Sequence, residues 1–222
     1  MILISDVHGC FNTLISLLKK CPKDDVCFVG DLVDRGPRSS EVVQYVIDNN
    51  FKTVLGNHEE MMANCSGRDF ETWSYNGALQ TLKSYKLGIQ DSKFRDHKEW
   101  MRNLPLYLLF EDIVDANGNK LLVTHSSAAK VWPWGEEKRQ QMSVSFKNHL
   151  IWERNYNPKK IEGVFNVFGH TPLQEPIIKE GFAFIDTGAV FNGVVDRGVP
   201  FVGRLTALRF PQMEVFQQDY ID

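Results

Sequence analysis

An aspartate and a histidine stand two residues apart near the start of the chain, in a pattern that could bind a metal ion. Asp6 and His8 follow the apolar run 2–4, and residues i and i+2 of an extended chain point to the same side. Asp31 follows a second apolar run, 26–29, and its two carboxylate oxygens could contact two cations at once. The spacing therefore favours a metal site shared by neighbouring strand ends.

Three later residues add donors of the same kind. Asn57 follows the apolar residues 53–55, and His125 and His170 each follow a later apolar run. Carboxylate, amide and imidazole ligands without a thiolate suit Mn, Fe or Zn better than Ca. Each short motif is a weak signal by itself. Polar clusters that follow one apolar run after another are, taken together, hard to explain by packing alone.

The elements that must position these side chains alternate between strand and helix in the first sixty residues. The three early apolar runs predict buried strands, and the helical spacing of apolar residues predicts a helix over 11–20. Ser39 and Ser40 are candidate N-caps of the next helix. Sites in open α/β sheets gather beyond the carboxyl ends of the strands. We therefore expect the polar clusters to converge at one edge of a largely parallel sheet.

The second half of the chain favours strands. A hairpin is predicted around the Asn-Gly turn at 117–118, between the strand-like segments 106–114 and 121–126. Further strands are predicted at 164–169, 182–188, 204–210 and 213–217. The residues by themselves therefore predict an α/β fold with a parallel core and a later antiparallel half.

Length and composition exclude several classes of protein. The 222 residues are 43% hydrophobic and 24% charged, an ordinary globular composition. The formal net charge of −3 offers no basic excess, so no nucleic-acid partner is expected. No apolar stretch reaches the roughly 18 residues of a membrane span, and the four cysteines form no Cys-x-x-Cys pair. We expect reduced thiols, no membrane partner and a cytoplasmic protein.

The chain is long enough for one domain over 1–222. The segment 65–115 is polar and aromatic with weak periodicity, which indicates a cap or an insertion. Within it, Phe70, Trp73 and Tyr75 are expected to form a local core.

The motifs resemble those of the calcineurin-like metallophosphoesterases, within their phosphoprotein phosphatase branch. SDVHG at 5–9, GDLVDRG at 30–36 and GNHE at 56–59 are similar to the branch motifs GDxHG, GDxVDRG and GNHE, with Ser5 in place of a glycine. The later motifs are met by THS at 124–126, IWER at 151–154, FGHTP at 168–172 and IDTGAVF at 185–191. The likeness is closest to the bacterial and phage lambda-type serine/threonine protein phosphatases.

This resemblance implies a two-sheet β-sandwich flanked by helices, in four layers α/β/β/α, with two divalent cations at its site. The implied ligands of the first cation are Asp6, His8 and Asp31, and those of the second are Asp31, Asn57, His125 and His170. Mn²⁺ is favoured, with Fe and Zn as alternatives.

The resemblance also implies a way to hydrolyse phosphate monoesters, by direct attack of a hydroxide shared by the two cations. His58, oriented by Asp34, would donate a proton to the leaving oxygen. Arg35 and Arg154 would bind the phosphate oxygens, with Asn57 close by. The implied substrate is phosphoserine or phosphothreonine in a protein, with phosphotyrosine or a phosphorylated small molecule as alternatives.

Two other functions stay open. Diadenosine polyphosphate hydrolases of the same fold share most of these motifs, and Asp34 favours the protein phosphatases because the symmetrical hydrolases often lack an aspartate there. A binding scaffold that has lost its chemistry is disfavoured, because every metal position and both arginines are present. The sequence predicts no oligomeric state. His97 matches no motif and is expected at the surface.

Overall fold

A computed structural model describes residues 1–66, 69–86, 91–196 and 198–222. Its strands are β1 (Ile2–Ile4), β2 (Val26–Phe28), β3 (Lys52–Thr53), β4 (Tyr107–Val114), β5 (Lys120–Thr124), β6 (Val164–Phe168), β7 (Ile177–Lys179), β8 (Phe182–Phe184), β9 (Val195–Asp196), β10 (Val199–Pro200), β11 (Arg204–Arg209) and β12 (Glu214–Asp219). Its helices are α1 (Phe11–Lys20), α2 (Ser39–Asp48), α3 (Asn57–Asn64), α4 (Asp69–Tyr75), α5 (Ala78–Ser84), α6 (Ser92–Arg102), α7 (Glu136–Gln141) and α8 (Ser143–Trp152). Among the described helices, none is long and apolar enough to cross a membrane.

Two five-stranded sheets carry the fold. The first has the order β12-β11-β1-β2-β3, and the second has the order β4-β5-β6-β8-β7. Strands β1, β2 and β3 are parallel, as are β5, β6 and β8, whereas β11 pairs antiparallel with β1 and β4 pairs antiparallel with β5. Each sheet is therefore mixed around a parallel centre. The carboxyl ends of three adjacent strands in each sheet lie at the same edge.

The alternation of side chains along the strands builds four layers. Ile2 and Ile4 pack among the residues of α1 and α2, whereas Leu3 between them faces the second sheet. In β5, Leu121 packs between the two sheets and Leu122 packs against α8. Helices thus cover the outer face of both sheets. The two-sheet sandwich that the resemblance implied is confirmed, in the order α/β/β/α.

Most predicted elements near the site are present, with one error of detail. The helix over 11–20 and the Asn-Gly hairpin are confirmed as α1 and as β4–β5. The prediction of Ser39 and Ser40 as N-caps is wrong, because Arg38 takes that position and α2 begins at Ser39. The Ser39 hydroxyl instead accepts a hydrogen bond from the backbone N–H of Asp34, at 3.1 Å. The serine therefore supports the loop that follows β2.

Helices α4, α5 and α6 lie over α2 and α3, at one end of the first sheet. Trp73 is fully buried there, as predicted, but Phe70 and Tyr75 are exposed by 43% and 83%. Only one face of the short helix α4 meets the core, so its other aromatic residues remain outside. The surface placement of His97 is also wrong. It is buried, and its Nδ1 lies 2.6 Å from the hydroxyl of Tyr85.

Candidate metal centre and phosphate site

Polar side chains follow the parallel strands of both sheets and meet at their shared edge. The first sheet contributes Asp6 and His8 after β1, Asp31, Asp34 and Arg35 after β2, and Asn57 and His58 at the start of α3. The second sheet contributes His125 after β5, His170 after β6 and Asp186 after β8. All except Arg35 are buried. The edge where the two sheets meet therefore concentrates ionisable groups away from solvent.

The backbone at this edge adopts an unfavourable conformation at five residues. The left-handed positions are His8 at φ 46°, Asp31 at 52°, Asp34 at 72°, Arg35 at 67° and His170 at 75°. Such a conformation costs a non-glycine residue on the order of 1 kcal/mol or more, and it clusters at functional sites. The surrounding fold must therefore hold these residues in place.

Gly169 allows the two sheets to approach closely at the site. A Cβ atom on this residue would collide with the carboxylate of Asp6. With only hydrogen there, the backbone N–H of His170 donates to Asp6 Oδ2 at 3.0 Å. This bond joins the end of β1 to the end of β6 across the sandwich.

Each of three histidines uses one ring nitrogen to bind a backbone carbonyl. The pairs are His8 Nδ1 with Val33 O at 2.8 Å, His125 Nδ1 with Val29 O at 2.9 Å and His170 Nε2 with Trp152 O at 3.2 Å. A carbonyl oxygen only accepts, so the proton must sit on the nitrogen that faces it. The other nitrogen of each neutral ring then presents a lone pair to the site. Metal-binding histidines are oriented in the same way.

Four lone-pair atoms are gathered in one cluster. His125 Nε2, His170 Nδ1 and Asn57 Oδ1 lie 2.9 to 3.1 Å apart, and Asp31 Oδ1 lies 3.4 Å from His125 Nε2. With the carbonyl-facing protons assigned as above, none of the three close contacts has a proton to share. A cation among these atoms would turn mutual repulsion into attraction, and their oxygen and nitrogen chemistry fits a divalent metal.

A second cluster lies on the other side of Asp31. The Oδ2 atom of Asp31 is 3.6 Å from His8 Nε2 and 3.9 Å from His58 Nε2. His58 Nε2 is buried and has no hydrogen-bond partner among the described residues. Arg35 Nη1 lies 2.5 Å from His8 Nε2, at the margin of this cluster. Asp31 therefore presents one carboxylate oxygen to each cluster.

Two buried aspartates complete the acidic side of the site. Asp6, a predicted ligand, lies beside the two clusters and accepts from His170 as described above. Burial, followed by the negative charges of Asp186 and Asp31, raises its pKa well above the ordinary range. Sequence reasoning assigned Asp186 no role, although it follows β8 as Asp6 follows β1. Burial raises the pKa of Asp186 to about 7.

Glu59 fixes the loop that carries Asp31. Its buried carboxylate accepts the backbone N–H groups of Asp31 and Leu32 at 2.7 Å, Val33 at 3.2 Å and Gly56 at 3.1 Å. The bond to Gly56 caps α3. The other three bonds tie this helix to the end of β2. Burial nevertheless raises the pKa of Glu59, to about 8.

Asp34 and His58 form a buried pair at 2.6 Å between Oδ2 and Nδ1. Two residues that sequence reasoning missed hold the carboxylate of Asp34. Trp73 Nε1 lies 2.9 and 3.0 Å from its two oxygens, and Thr81 Oγ1 donates to Oδ1 at 2.6 Å. Both partners come from the helical segment after α3. No local sequence pattern indicates contacts over separations of 39 and 47 residues.

The two predicted phosphate-binding arginines lie on the open side of the site. The guanidinium carbon of Arg35 is 5.2 Å from the ring centre of Phe191. Arg154 is exposed, and its charge adds to burial and to His125 in lowering the pKa of His170. The same charge opposes the burial that raises the pKa of Asp186. The structure therefore brings a cationic side chain to each flank of the buried clusters.

Comparison with known proteins agrees with this arrangement. The family model for calcineurin-like phosphoesterases matches residues 1–193. The chain belongs to the calcineurin-like phosphoesterase family. It is accordingly a phosphoric ester hydrolase, and the family resemblance drawn from its motifs is confirmed.

The relatives of this phosphoesterase have different named substrates. The asymmetrical bis(5'-nucleosyl)-tetraphosphatase PrpE of Anoxybacillus flavithermus is 29% identical, over 96% of this chain and 91% of that protein. Serine/threonine-protein phosphatase 1 of Salmonella typhimurium is 28% identical, over 86% of this chain and 87% of that protein. The crystal structure of a metallophosphoesterase from Sphaerobacter thermophilus shares the fold, with a TM-score of 0.60 at 20% identity over 100% of this chain and 89% of that one.

The buried carboxyls make the stability of the metal-free protein depend on pH. Burial raises the pKa of Asp31 and Asp186 to about 7 and that of Glu59 to about 8, and lowers that of His125 to about 4. A carboxyl with a raised pKa binds more protons in the folded chain, so the free energy of unfolding falls as pH rises towards that value. Buried histidines with a lowered pKa oppose this trend, but only below about pH 6.5.

We therefore expect the metal-free phosphoesterase to unfold about 5 °C lower at about pH 8 than at about pH 6.5. Added Mn²⁺ should raise the midpoint more at the higher pH, because the cations offset the buried negative charge. Thermal unfolding after chelation, with and without Mn²⁺, measures both effects. A midpoint that rises with pH in the metal-free protein would contradict the role given to the carboxyls.

Proposed function

We propose that this enzyme hydrolyses phosphate esters at a dinuclear metal centre. The observation that carries the proposal is the placement of Asp31, with one oxygen towards each lone-pair cluster. The proposed ligands of the first cation are Asp6, His8 and Asp31, and those of the second are Asp31, Asn57, His125 and His170. Two bound divalent cations neutralise phosphate charge and lower the pKa of water at the site. The mixed oxygen and nitrogen donors favour Mn²⁺, with Fe or Zn as alternatives.

Arg35 and Arg154 are proposed to bind the phosphate oxygens. A guanidinium matches two phosphate oxygens at once and stays charged at any physiological pH. The two side chains flank the clusters, so a phosphate held between them would face the metal ligands. Asn57, at the start of α3, lies beside this position. These residues would orient the phosphorus and exclude other binding modes.

His58 is proposed to protonate the leaving oxygen. Its Nδ1–H is held by Asp34, and its Nε2 faces the site. Burial and the charges of His8 and Arg35 lower the pKa of His58, so a second proton on the ring needs an ionised Asp34 beside it. Hydrogen bonds from Thr81 and Trp73 favour that ionised form, against the effect of burial. The pair and its two donors would therefore act as one unit.

Two substrate classes have support. Phosphoserine or phosphothreonine in proteins fits the Asp34–His58 pair, since an alkoxide is a poor leaving group that needs an acid. A relative named as a serine/threonine-protein phosphatase covers most of the chain. Dinucleoside polyphosphates are favoured by relatives named for that reaction, which align with 96% of the chain. Phosphotyrosine and phosphorylated small molecules are further alternatives.

The expected location of the enzyme is the cytoplasm. Cys10, Cys21, Cys27 and Cys65 are all free thiols. Reduced cysteines are typical of a compartment kept reducing by glutathione and thioredoxin.

Removing the proposed acid should affect substrates according to their leaving groups. His58→Asn should lower turnover of a phosphoserine peptide by about 100-fold or more. The loss should be smaller with p-nitrophenyl phosphate or a dinucleoside tetraphosphate, because their leaving groups are weaker bases. Steady-state kinetics on the three substrates, with metal content checked by elemental analysis, measures the pattern. The matched control is His97→Asn, a buried histidine whose ring contacts Tyr85 and Gln44 and none of the proposed site residues; equal losses on all substrates would refute the acid role.

The contact between Trp73 and Asp34 can be tested by removing only the indole N–H. Trp73→Phe should lower turnover of the phosphoserine peptide about tenfold, since a hydrogen bond to a charged group contributes roughly 1.5–3 kcal/mol. The acid limb of the kcat profile should also move, because Asp34 loses a donor that stabilises its charge. Trp100→Phe in α6 is the control, with no expected change. An unaltered profile and turnover in Trp73→Phe would show that the indole only fills space.

Metal stoichiometry tests the sharing of Asp31. The wild-type protein should bind two Mn²⁺ per chain, and chelation should abolish activity until Mn²⁺ is restored. Asp31→Asn should bind fewer than two, because the amide carries no charge and keeps only one of the two oxygens, so one cluster loses its oxygen and the other keeps a neutral one. Asp115→Asn makes the same change at a buried turn in the β4–β5 hairpin and should leave the count at two. Calorimetric titration of metal-free protein gives the numbers; full activity without metal would refute the proposal.

A further inference from the structure

A groove of about 510 Å³ opens beside Arg154, next to the proposed phosphate site. The segment after β6 forms one wall, and the chain that leads into the β9–β10 hairpin forms the other. Its lining includes Arg154, Thr171, Gln174, Phe191, Val194 and Val195. Its volume lies within the range of small-molecule sites.

The groove is continuous with the residues proposed to hold phosphate. Arg154 belongs to both, and Thr171 directly follows His170 in the chain. Phe191 lines the groove while its ring lies 5.2 Å from the guanidinium of Arg35. A phosphate held between the two arginines would therefore place its next group at the mouth of the groove.

The chemistry of the walls is aromatic, aliphatic and neutral. Of the described residues that line the groove, Arg154 alone is charged. Phe191 offers a ring face, and Thr171 and Gln174 offer neutral hydrogen-bonding groups. A nucleobase has apolar faces that stack on aromatic rings and a neutral polar edge. We infer that this groove binds the nucleoside of a nucleotide substrate.

One wall of the groove is apolar where the chain enters the β9–β10 hairpin. Val194 and Val195 are exposed by 49% and 62%, although valine side chains in a folded protein are usually buried. Their exposure beside a polar catalytic edge is the pattern expected of a ligand contact. Val202, exposed by 48%, belongs to the same chain segment but does not line the groove. Val194 and Val195 therefore face the groove, whereas the similarly exposed Val202, just after β10, does not.

The inference rests on the proposed function, because it takes the phosphate to be held by Arg35 and Arg154. It favours dinucleoside polyphosphates over phosphoproteins as the substrate. A phosphopeptide would place its neighbouring residues on the same surface, and an extended peptide gains most affinity from backbone hydrogen bonds along a strand edge. The groove offers a short aromatic space instead, which suits a single base.

Competition of AMP and ribose 5-phosphate with p-nitrophenyl phosphate for the Mn²⁺-loaded protein tests the groove, since the two compounds share the ribose phosphate and AMP alone carries a base. Both are phosphate monoesters that the proposed activity would hydrolyse, so binding is measured as an inhibition constant from initial rates. That constant should be about tenfold lower for AMP, as one base–aromatic stack contributes. In a double variant with Val194→Ser and Val195→Ser, the ratio should fall severalfold, because the base loses the apolar contacts beside Phe191, while binding of ribose 5-phosphate stays unchanged. Val202→Ser should keep the wild-type ratio. Thermal unfolding of each variant checks that the fold is retained.

Three other results would each contradict either this inference or the proposed function. Equal binding of the two compounds to the wild-type protein overturns the inference without any variant and leaves the proposed function standing. Failure of both compounds to bind the metal-loaded protein contradicts the proposed function itself. If the compounds bind alike and a phosphoserine peptide with apolar neighbours loses affinity in the double variant, the groove binds peptide and the nucleoside assignment is wrong.

Discussion

The carboxylate of Asp31 faces two clusters of lone pairs, and the architecture around it serves that position. One oxygen points towards His125, which follows a strand of the second sheet, and the other points towards His8, which follows a strand of the first. The backbone of Asp31 is left-handed, and the carboxylate of Glu59 holds its N–H. The two sheets must therefore end at a common edge, within a few ångströms of each other. Without a compensating cation, the buried carboxyls at this edge are costly to ionise, as their raised pKa values show.

The strands and the place of the site depend on residues close together in the sequence, so sequence patterns could predict them. Apolar runs predicted the parallel strands, and the polar residues that follow them, such as Asp6 and His170, gave the place of the site. The motif resemblance supplied what spacing alone could not, namely the four layers and the pairing of Asp34 with His58. The strand predicted at 53–55 ends at Thr53, because the N–H of Leu55 bonds to the Pro105 carbonyl rather than to the first sheet.

The errors and omissions concern contacts between distant segments. His97 is buried because Gln44, from another helix, contacts its second ring nitrogen. Ser39 misses the cap position because Asp34 N–H uses its hydroxyl. Burial of a polar side chain depends on a partner that the neighbouring sequence does not reveal. Asp186 is different, since it follows an apolar run as the other site residues do, and the same rule applied to β8 would have found it.

Residues of helices α4 and α5 hold the loop after β2 in place. The helical segment and the loop are therefore linked, although they are separate stretches of sequence. The backbone carbonyl of Gly77 accepts the N–H of Arg35, and a side chain on Gly77 would collide with that arginine. Thr81, four residues on, holds Asp34. A chain that exchanged this helical segment for another would lose, in one step, the support of the proposed proton donor and of one proposed phosphate-binding arginine. An exchange that kept the site would have to carry the helices together with the loop they hold.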